Sequence, residues 1–303
     1  MSQDINQDRP YRRRLLRTAA VTNSRIARLA LAGLIVASLA GAGALRAQSA
    51  PAAPAAPSSA PAAEGRSSSG GGQNAAKPAI ILVHGAFADG SSWSKVIPLL
   101  EKDGYTVTAV QNPLTSLADD IATTKRVIDA QKGPVVVVGH SWGGAVITGA
   151  AAGNANVKAL VYLAAFAPEP GEPVAAFLGK YPIDLDTATV PDSAGFVYVD
   201  RAKFRGVFCA DVPEAEARVM AATQKPINGS AFGASVAQAA WKSIPSWYLV
   251  SKEDHALNPD LERFYAKRMG ATTSEVKASH VAFLSHPGEV ARLIEQAASA
   301  AMK

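Results

Sequence analysis

The sequence predicts an α/β protein with a mostly parallel sheet and helices on both faces, and three observations predict it. Residues 79–83, AIILV, and the four valines 135–138 are continuous apolar runs, the pattern of parallel strands covered on both sides. Amphipathic helical stretches alternate with such runs. Residues 135–146, VVVVGHSWGGAV, carry a buried strand into Gly139-His140-Ser141-Trp142-Gly143 and on into a small-residue helix, the strand–turn–helix of a nucleophile elbow. A hydroxyl on such a turn sits in tight backbone with room only for glycines beside it, so Ser141 is the candidate nucleophile.

The chain has 303 residues, but the first part reads as removable. Seven arginines fall within residues 1–28, and residues 29–45 are apolar. With small residues at Ala42, Ala44, Ala47 and Ser49, residues 1–47 read as an export signal, cleaved after Ala44, Ala47 or Ser49, and the expected location is periplasmic or extracellular. Arg12-Arg13-Arg14-Leu15-Leu16-Arg17 resembles a twin-arginine export motif, with Tyr11 where Ser or Thr is usual. The apolar run has 17 residues rich in Ala and Gly, short for a membrane span of about 20 strongly apolar residues, so no stable membrane insertion is expected after signal removal. Residues 48–77 alternate Ala-Pro with Ser and Gly, with no aromatic residue, and read as a disordered linker.

Removing the signal changes the charge balance. The whole chain holds 30 basic and 25 acidic residues; taking away eight Arg and two acids leaves 22 and 23. A near-neutral remainder gives no reason to expect a nucleic-acid partner. The single cysteine, Cys209, has no partner for an internal disulfide and reads as a small buried hydrophobe.

From residue 78 onward the elements follow in order. After the strand at 79–83, WSKVIPLLEKDG predicts a helix capped by Ser91 or Ser92, with Trp93, Val96, Ile97 and Leu100 at helical spacing. Residues 105–111 predict a strand, 116–131 an amphipathic helix, and 157–166 another buried strand. Between about 167 and 244 the pattern turns mixed, with Pro/Gly punctuation, a short alternating stretch GFVYVDRAKF and a helical EAEARVMAAT, and reads as a cap over the strand ends. Phe196, Phe204, Phe208 and Phe232 are candidates to line an apolar pocket or to pack the cap onto the core. The parallel pattern returns with a strand at 246–254, a helix from Pro259, a strand at 274–278 and a last helix from Pro287, which Ser285 or His286 is placed to cap.

Serine is a poor nucleophile without a base, so an acid-held histidine must accompany it. Asp254 closes the strand after the cap, at the sheet edge where sites of open α/β sheets collect; Glu253 and Asp260 compete with it. Among His84, His140, His255, His280 and His286, His280 follows the last strand, in a loop able to return over the elbow, and is the candidate base. His84 and His140 flank the glycine turns and read as loop supports. None of the five forms a metal-ligand spacing, so neither metal nor cofactor is expected. The backbone N–H of Trp142, with that of Ala86 or alternatively Phe87, would receive an oxyanion.

HGAFADGSSW (84–93), GHSWGG (139–144), SKEDHALNPDLERF (251–264) and ASHVAFLSHPGEVARLI (278–294) together resemble the α/β-hydrolases, in particular the group of methyl-salicylate-type esterases and hydroxynitrile lyases. The resemblance covers residues 78–303. It implies the α/β-hydrolase fold with a cap inserted after the sixth strand, a Ser141–His280–Asp254 triad, and oxyanion donors at Ala86 and Trp142. Plant hydroxynitrile lyases place Thr at the position of Gly85 and Lys after the histidine, where this chain has Val281, which disfavours lyase chemistry. Asp is required at the elbow by the epoxide hydrolases and dehalogenases of this fold, and Ser141 disfavours both. The expected activity is cleavage of small carboxylic esters, lactones included. Its rivals are a cofactor-free perhydrolase or haloperoxidase-like reaction on the same triad and a non-catalytic ligand-binding member of the fold.

Overall fold

The computed structural model describes residues 77–302. The expected export signal, 1–47, and the expected linker, 48–77, except Lys77, lie outside the described residues. Six strands form one sheet: β1 (Ala79–Val83), β2 (Val107–Val110), β3 (Val135–His140), β4 (Val157–Leu163), β8 (Ser246–Ser251) and β9 (Thr272–Val276). Their order is β2-β1-β3-β4-β8-β9, and every pairing is parallel. The valine run lies at the middle of this sheet with all six residues of β3 buried, as a strand covered on both faces must be. Helix α2 (Leu117–Asp129) packs beside α3 (Trp142–Ala150), and α1 (Ile97–Lys102) beside α8 (Pro287–Ala300), so that the two pairs cover the sheet.

The order of strands determines where a site can form. From β1 the chain moves outward to β2, then crosses back to β3 on the other side of β1, so the loops leaving β1 and β3 diverge and open a crevice at their carboxyl ends. The elbow and the loop starting at His84 meet there.

Among the described residues four strands, not six, precede the insertion, and none lies outside β2 in the sheet. The insertion builds its own three-stranded antiparallel sheet from β5 (Thr189–Pro191), β6 (Phe196–Val199) and β7 (Ile227–Asn228), with helices α4 (Phe204–Phe208) and α5 (Glu214–Thr223). Isolated bridges join Pro170 to Val236 and Pro173 to Ser235, tying its entry to its exit.

Two local expectations change. The helix expected from Trp93 is broken into a 3-10 turn, Gly90–Trp93, and α1. Pro98 lacks an N–H and is tolerated only in a first turn, so a regular helix starts afresh there. Asp89, not Ser91 or Ser92, caps the first turn by accepting the Ser91 N–H at 2.7 Å. At the other end, the short helix α7 (Ala282–Ser285) precedes α8, and His286 occupies the N-cap of α8 without a side-chain cap bond. Its Nε2 donates instead to the Lys277 carbonyl at 3.1 Å.

Arg268, near the end of α6 (Pro259–Met269), fastens the cap to the core. Its guanidinium forms a two-pronged pair with Glu172, both side chains only 16% exposed, and lies near the rings of Phe177, Trp241, Phe264 and Tyr265. Arg263, one turn earlier and 42% exposed, pairs with Asp260 and Glu275 at the surface. Removing one partner of a covered pair leaves a charge in poor solvent, whereas an exposed pair is screened. Arg268→Met is expected to lower unfolding free energy in urea by about 3 kcal/mol and Arg263→Met by under about 1 kcal/mol; equal losses would contradict this account of the cap anchor.

Candidate active site

The site begins with backbone geometry. Ser141, directly after β3, has φ 52° and ψ −121°, a conformation that costs a non-glycine residue about 1–3 kcal/mol. Three main-chain bonds impose it: Ser141 N–H donates to Leu163 O at 3.1 Å, while Ser141 O accepts from Gly144 N at 2.9 Å and Phe166 N at 3.1 Å. Strand and helix approach so closely that a Cβ on Gly143 would lie 2.4 Å from Val83 O. One on Gly85 would lie 2.8 Å from the Ser141 Cβ, so the loop after β1 presses directly on the elbow. Ser141 is 7% exposed.

Asp254 and His280 come from the turns after β8 and β9. Asp254 Oδ2 accepts from His280 Nδ1 at 2.5 Å, with both side chains almost fully covered. The other oxygen, Oδ1, accepts the N–H groups of Ala256 and Leu257 at 2.7 and 2.8 Å, which locks the carboxylate's orientation. With Nδ1 protonated toward Asp254, Nε2 is the nitrogen of His280 left to act as a base. The competing groups are turned elsewhere. Glu253 is exposed and pairs with Lys277, Asp260 serves the first turn of α6 and Arg263, and His255 pairs with Asp184 at the surface.

His140 links the two halves. Its Nε2 donates to the His280 carbonyl at 2.9 Å, and the two rings lie 4.5 Å apart. The residue before Ser141 therefore grips the candidate base. His140 Nδ1 is buried without a partner, and burial, reinforced by the neighbouring imidazoles, holds this ring's pKa well below the ordinary value. His84 plays the matching part for the β1 loop. Its Nδ1 donates to Gly85 O at 2.8 Å and its Nε2 accepts the Asn112 N–H at 3.0 Å. Burial lowers its pKa to about 4, so both rings are neutral supports.

Trp142, the first residue of α3, is fully buried, and its indole N–H donates to Asp120 Oδ2 at 2.7 Å. Asp120 Oδ1 in turn accepts the Leu114 N–H at 2.8 Å. Ala86 and Phe87 are buried in the loop against the elbow, and Phe87 adopts φ 61°. Among the described residues no three His, Cys, Asp or Glu side chains converge as a metal ion requires, and no helix is long and apolar enough to cross a membrane.

Residues 80–293 match the model of the alpha/beta hydrolase family. The chain belongs to the alpha/beta hydrolase family. A pyrethroid hydrolase from Sphingobium wenxiniae is 28% identical over 255 residues, covering 73% of this chain and 88% of the relative. Polyneuridine aldehyde esterase from Rauvolfia serpentina is 26% identical over 250 residues, covering 71% of this chain and 93% of that protein.

The crystal structure of a pyrethroid hydrolase superposes with a TM-score of 0.64 at 25% identity, covering 75% of this chain and 99% of that one. Plant methylesterases and a hydroxynitrile lyase from Arabidopsis thaliana are also among the relatives, the group that the four motifs resemble.

The four phenylalanines proposed for the pocket of this alpha/beta hydrolase divide. Phe208 lies edge-on to the His280 ring at 5.1 Å and to Phe87 at 6.1 Å, and Phe232 lies against Trp142 at 5.1 Å, so both reach the rim of the site. Phe204 is fully buried behind Phe208, and Phe196 pairs with Asn228 inside the cap sheet. Cys209 is buried, and its thiol is pushed up to about 12 by burial.

Sequence reasoning missed three polar supports. Asp120 sits within the apolar stripe of α2, between Leu117 and Thr124, and that misplaced acid was the available signal. Asn112 accepts from Thr124 Oγ1 at 3.1 Å, and its carbonyl takes the Lys225 ammonium from the cap. Asp211, also from the cap, accepts both the N–H and the hydroxyl of Ser279, the neighbour of His280. No local pattern marks either.

The two neutral histidines imply a pH dependence with a definite sign. An unfolded histidine takes up a proton near pH 6.5, whereas folded His84 does so only near pH 4. Between those values the unfolded chain binds more protons, so stability is complete above about pH 6.5 and is lost as pH falls toward about 4. Urea midpoints should fall across that window, less steeply in His84→Gln; an unchanged slope in the variant would remove His84 as the cause. Separately, Ser141→Gly relieves the backbone strain and should raise stability by about 1 kcal/mol, read from the same unfolding curves.

Proposed function

We propose that this alpha/beta hydrolase is an exported serine hydrolase that cleaves carboxylic esters of modest size with an apolar portion, lactones included. The observation that carries the reading is the 2.5 Å contact between Asp254 Oδ2 and His280 Nδ1, which favours the ring proton on Nδ1 and Nε2 as the base, with Ser141 on a strained turn next to His140, whose ring lies 4.5 Å from that of His280. The relatives named as an esterase and a pyrethroid hydrolase support the same chemistry. Export is supported by the arginine-rich start of the chain and the apolar run at 29–45 that follows it.

In the proposed mechanism His280 Nε2 takes the Ser141 hydroxyl proton as Oγ bonds to the substrate's carbonyl carbon. The carbonyl electron pair moves onto oxygen, where the N–H groups of Trp142 and Ala86, or of Phe87 in its place, receive the oxyanion. The pair returns, the alcohol leaves with the proton from His280, and an acyl-serine remains. Water, deprotonated by the same imidazole, repeats the addition and releases the acid. Asp254 keeps the ring oriented and offsets its transient charge. Phe208 and Phe232, at the rim, are placed to accept the apolar part of the substrate.

The test is a series of p-nitrophenyl esters of increasing chain length with a few lactones and amides. A burst of nitrophenol is expected, with a loss of about 10⁴-fold or more in kcat for Ser141→Ala and labelling of Ser141 by a fluorophosphonate. Undiminished turnover by Ser141→Ala would remove the mechanism.

A further inference from the structure

The Asp254 carboxylate has a second carboxyl group beside it. Glu262, in the first turn of α6, is fully buried. Its Oε2 accepts the Ser251 N–H at 3.0 Å, and its Oε1 meets no N–H or O–H donor among the described residues. Asp254 lies within hydrogen-bonding reach of it, and two ionised carboxylates in this dry position would repel each other. The other charged or titratable groups facing Glu262 are Arg263, which is turned to the surface with Asp260 and Glu275, and Tyr248 of β8. None supplies a compensating buried cation.

The hydrogen-bond inventory says which carboxyl keeps a proton. A carboxylate offers about four acceptor positions. Three on Asp254 are filled by His280 Nδ1 and by the N–H groups of Ala256 and Leu257, whereas Glu262 has only Ser251 N–H. Negative charge is therefore favoured on Asp254 and the proton on Glu262. Burial and the neighbouring Asp254 charge act in the same direction, holding the Glu262 pKa well above the ordinary carboxylate range.

We infer that Glu262 is a positioning residue of this site: its protonated carboxyl donates a hydrogen bond to Asp254, filling the last acceptor position and holding that carboxylate against His280. This deepens the proposed triad and depends on it for its catalytic consequence, though not for the placement of the proton. Glu262 touches no reacting atom; it acts through Asp254.

Three measurements on the full chain test this. A ¹³C-carboxyl NMR titration, with the Glu262 signal assigned by its loss in Glu262→Gln, should show a protonated acid at about pH 7. Glu262→Leu removes the donor and should lower kcat by about tenfold to a hundredfold while KM stays within about twofold, and should displace the acid limb of kcat/KM. Glu262→Gln keeps a donor and an acceptor in the same positions and should recover most of the kcat lost in the leucine variant, with the acid limb of the parent. An ionised Glu262 signal at that pH would overturn the inference, as would a glutamine variant as impaired as the leucine one, or a leucine variant with unchanged kcat and pH profile. Should Glu262→Leu fail to fold, the titration and the glutamine variant still decide. If the parent turns over no ester, the proposed function fails alone, and the titration continues to report where the proton lies.

Discussion

The site depends on one steric constraint: β3 and α3 meet with no space between them for side chains. With Gly143 packed against Val83 O, the chain can turn from strand to helix only by placing Ser141 at positive φ. That conformation lifts the hydroxyl clear of both elements and keeps its own N–H and C=O bonded to β4 and to Phe166. Because β1 adjoins β3 in the sheet, the same close approach presses the loop containing Gly85 onto the turn. One crowded junction thus holds the serine and the N–H groups proposed to receive the oxyanion.

A crowded, dry junction has to satisfy its polar groups without free charge. His84 and His140 do so as neutral rings, each spending a nitrogen on a backbone group of the loop it supports. Asp120 accepts from an indole and a main-chain N–H. The burial that makes a neutral imidazole a good strut makes His84 and His140 poor proton carriers near neutrality. His280 alone among the three has a carboxylate against Nδ1. The division of labour among the histidines follows from which of them meets an acid.

Much of this was legible in the sequence, and the reason differs by element. Parallel strands buried on both faces leave unbroken apolar runs, so β1, β3 and β4 are visible without any partner being known. Ser141 is marked by its glycines, and Asp254 and His280 by their positions after strands. Local pattern gives out where a residue's partner lies far along the chain. Asp120 bonds Trp142 across 22 positions and Asp211 reaches Ser279 across 68. The cap is hard to read for another reason: its strands are two to four residues long and its turns are 3-10, too short for either period to show. The helix expected from Trp93 misled because apolar spacing continued through Pro98, where the backbone could not.

The cap is more than a cover. Asp211 holds the backbone and hydroxyl of Ser279, one residue before His280, and Lys225 holds the carbonyl of Asn112, whose N–H in turn bonds His84. Phe208, in the same insertion, touches the His280 ring. The insertion is therefore bonded directly to the loop that bears His280 and, through Asn112, to His84 at the start of the Gly85 loop. In the proposed mechanism, a change in the cap that alters which esters fit also disturbs the His280 loop or the support of His84 unless Asp211 and Lys225 keep their contacts. The loops are held by β1, β8 and β9 as well, whereas Arg268 and Glu172 anchor the cap at its base. Loss of the Asp211 and Lys225 contacts would release the loops' outer supports while leaving the elbow, which the β3–α3 junction enforces, unchanged.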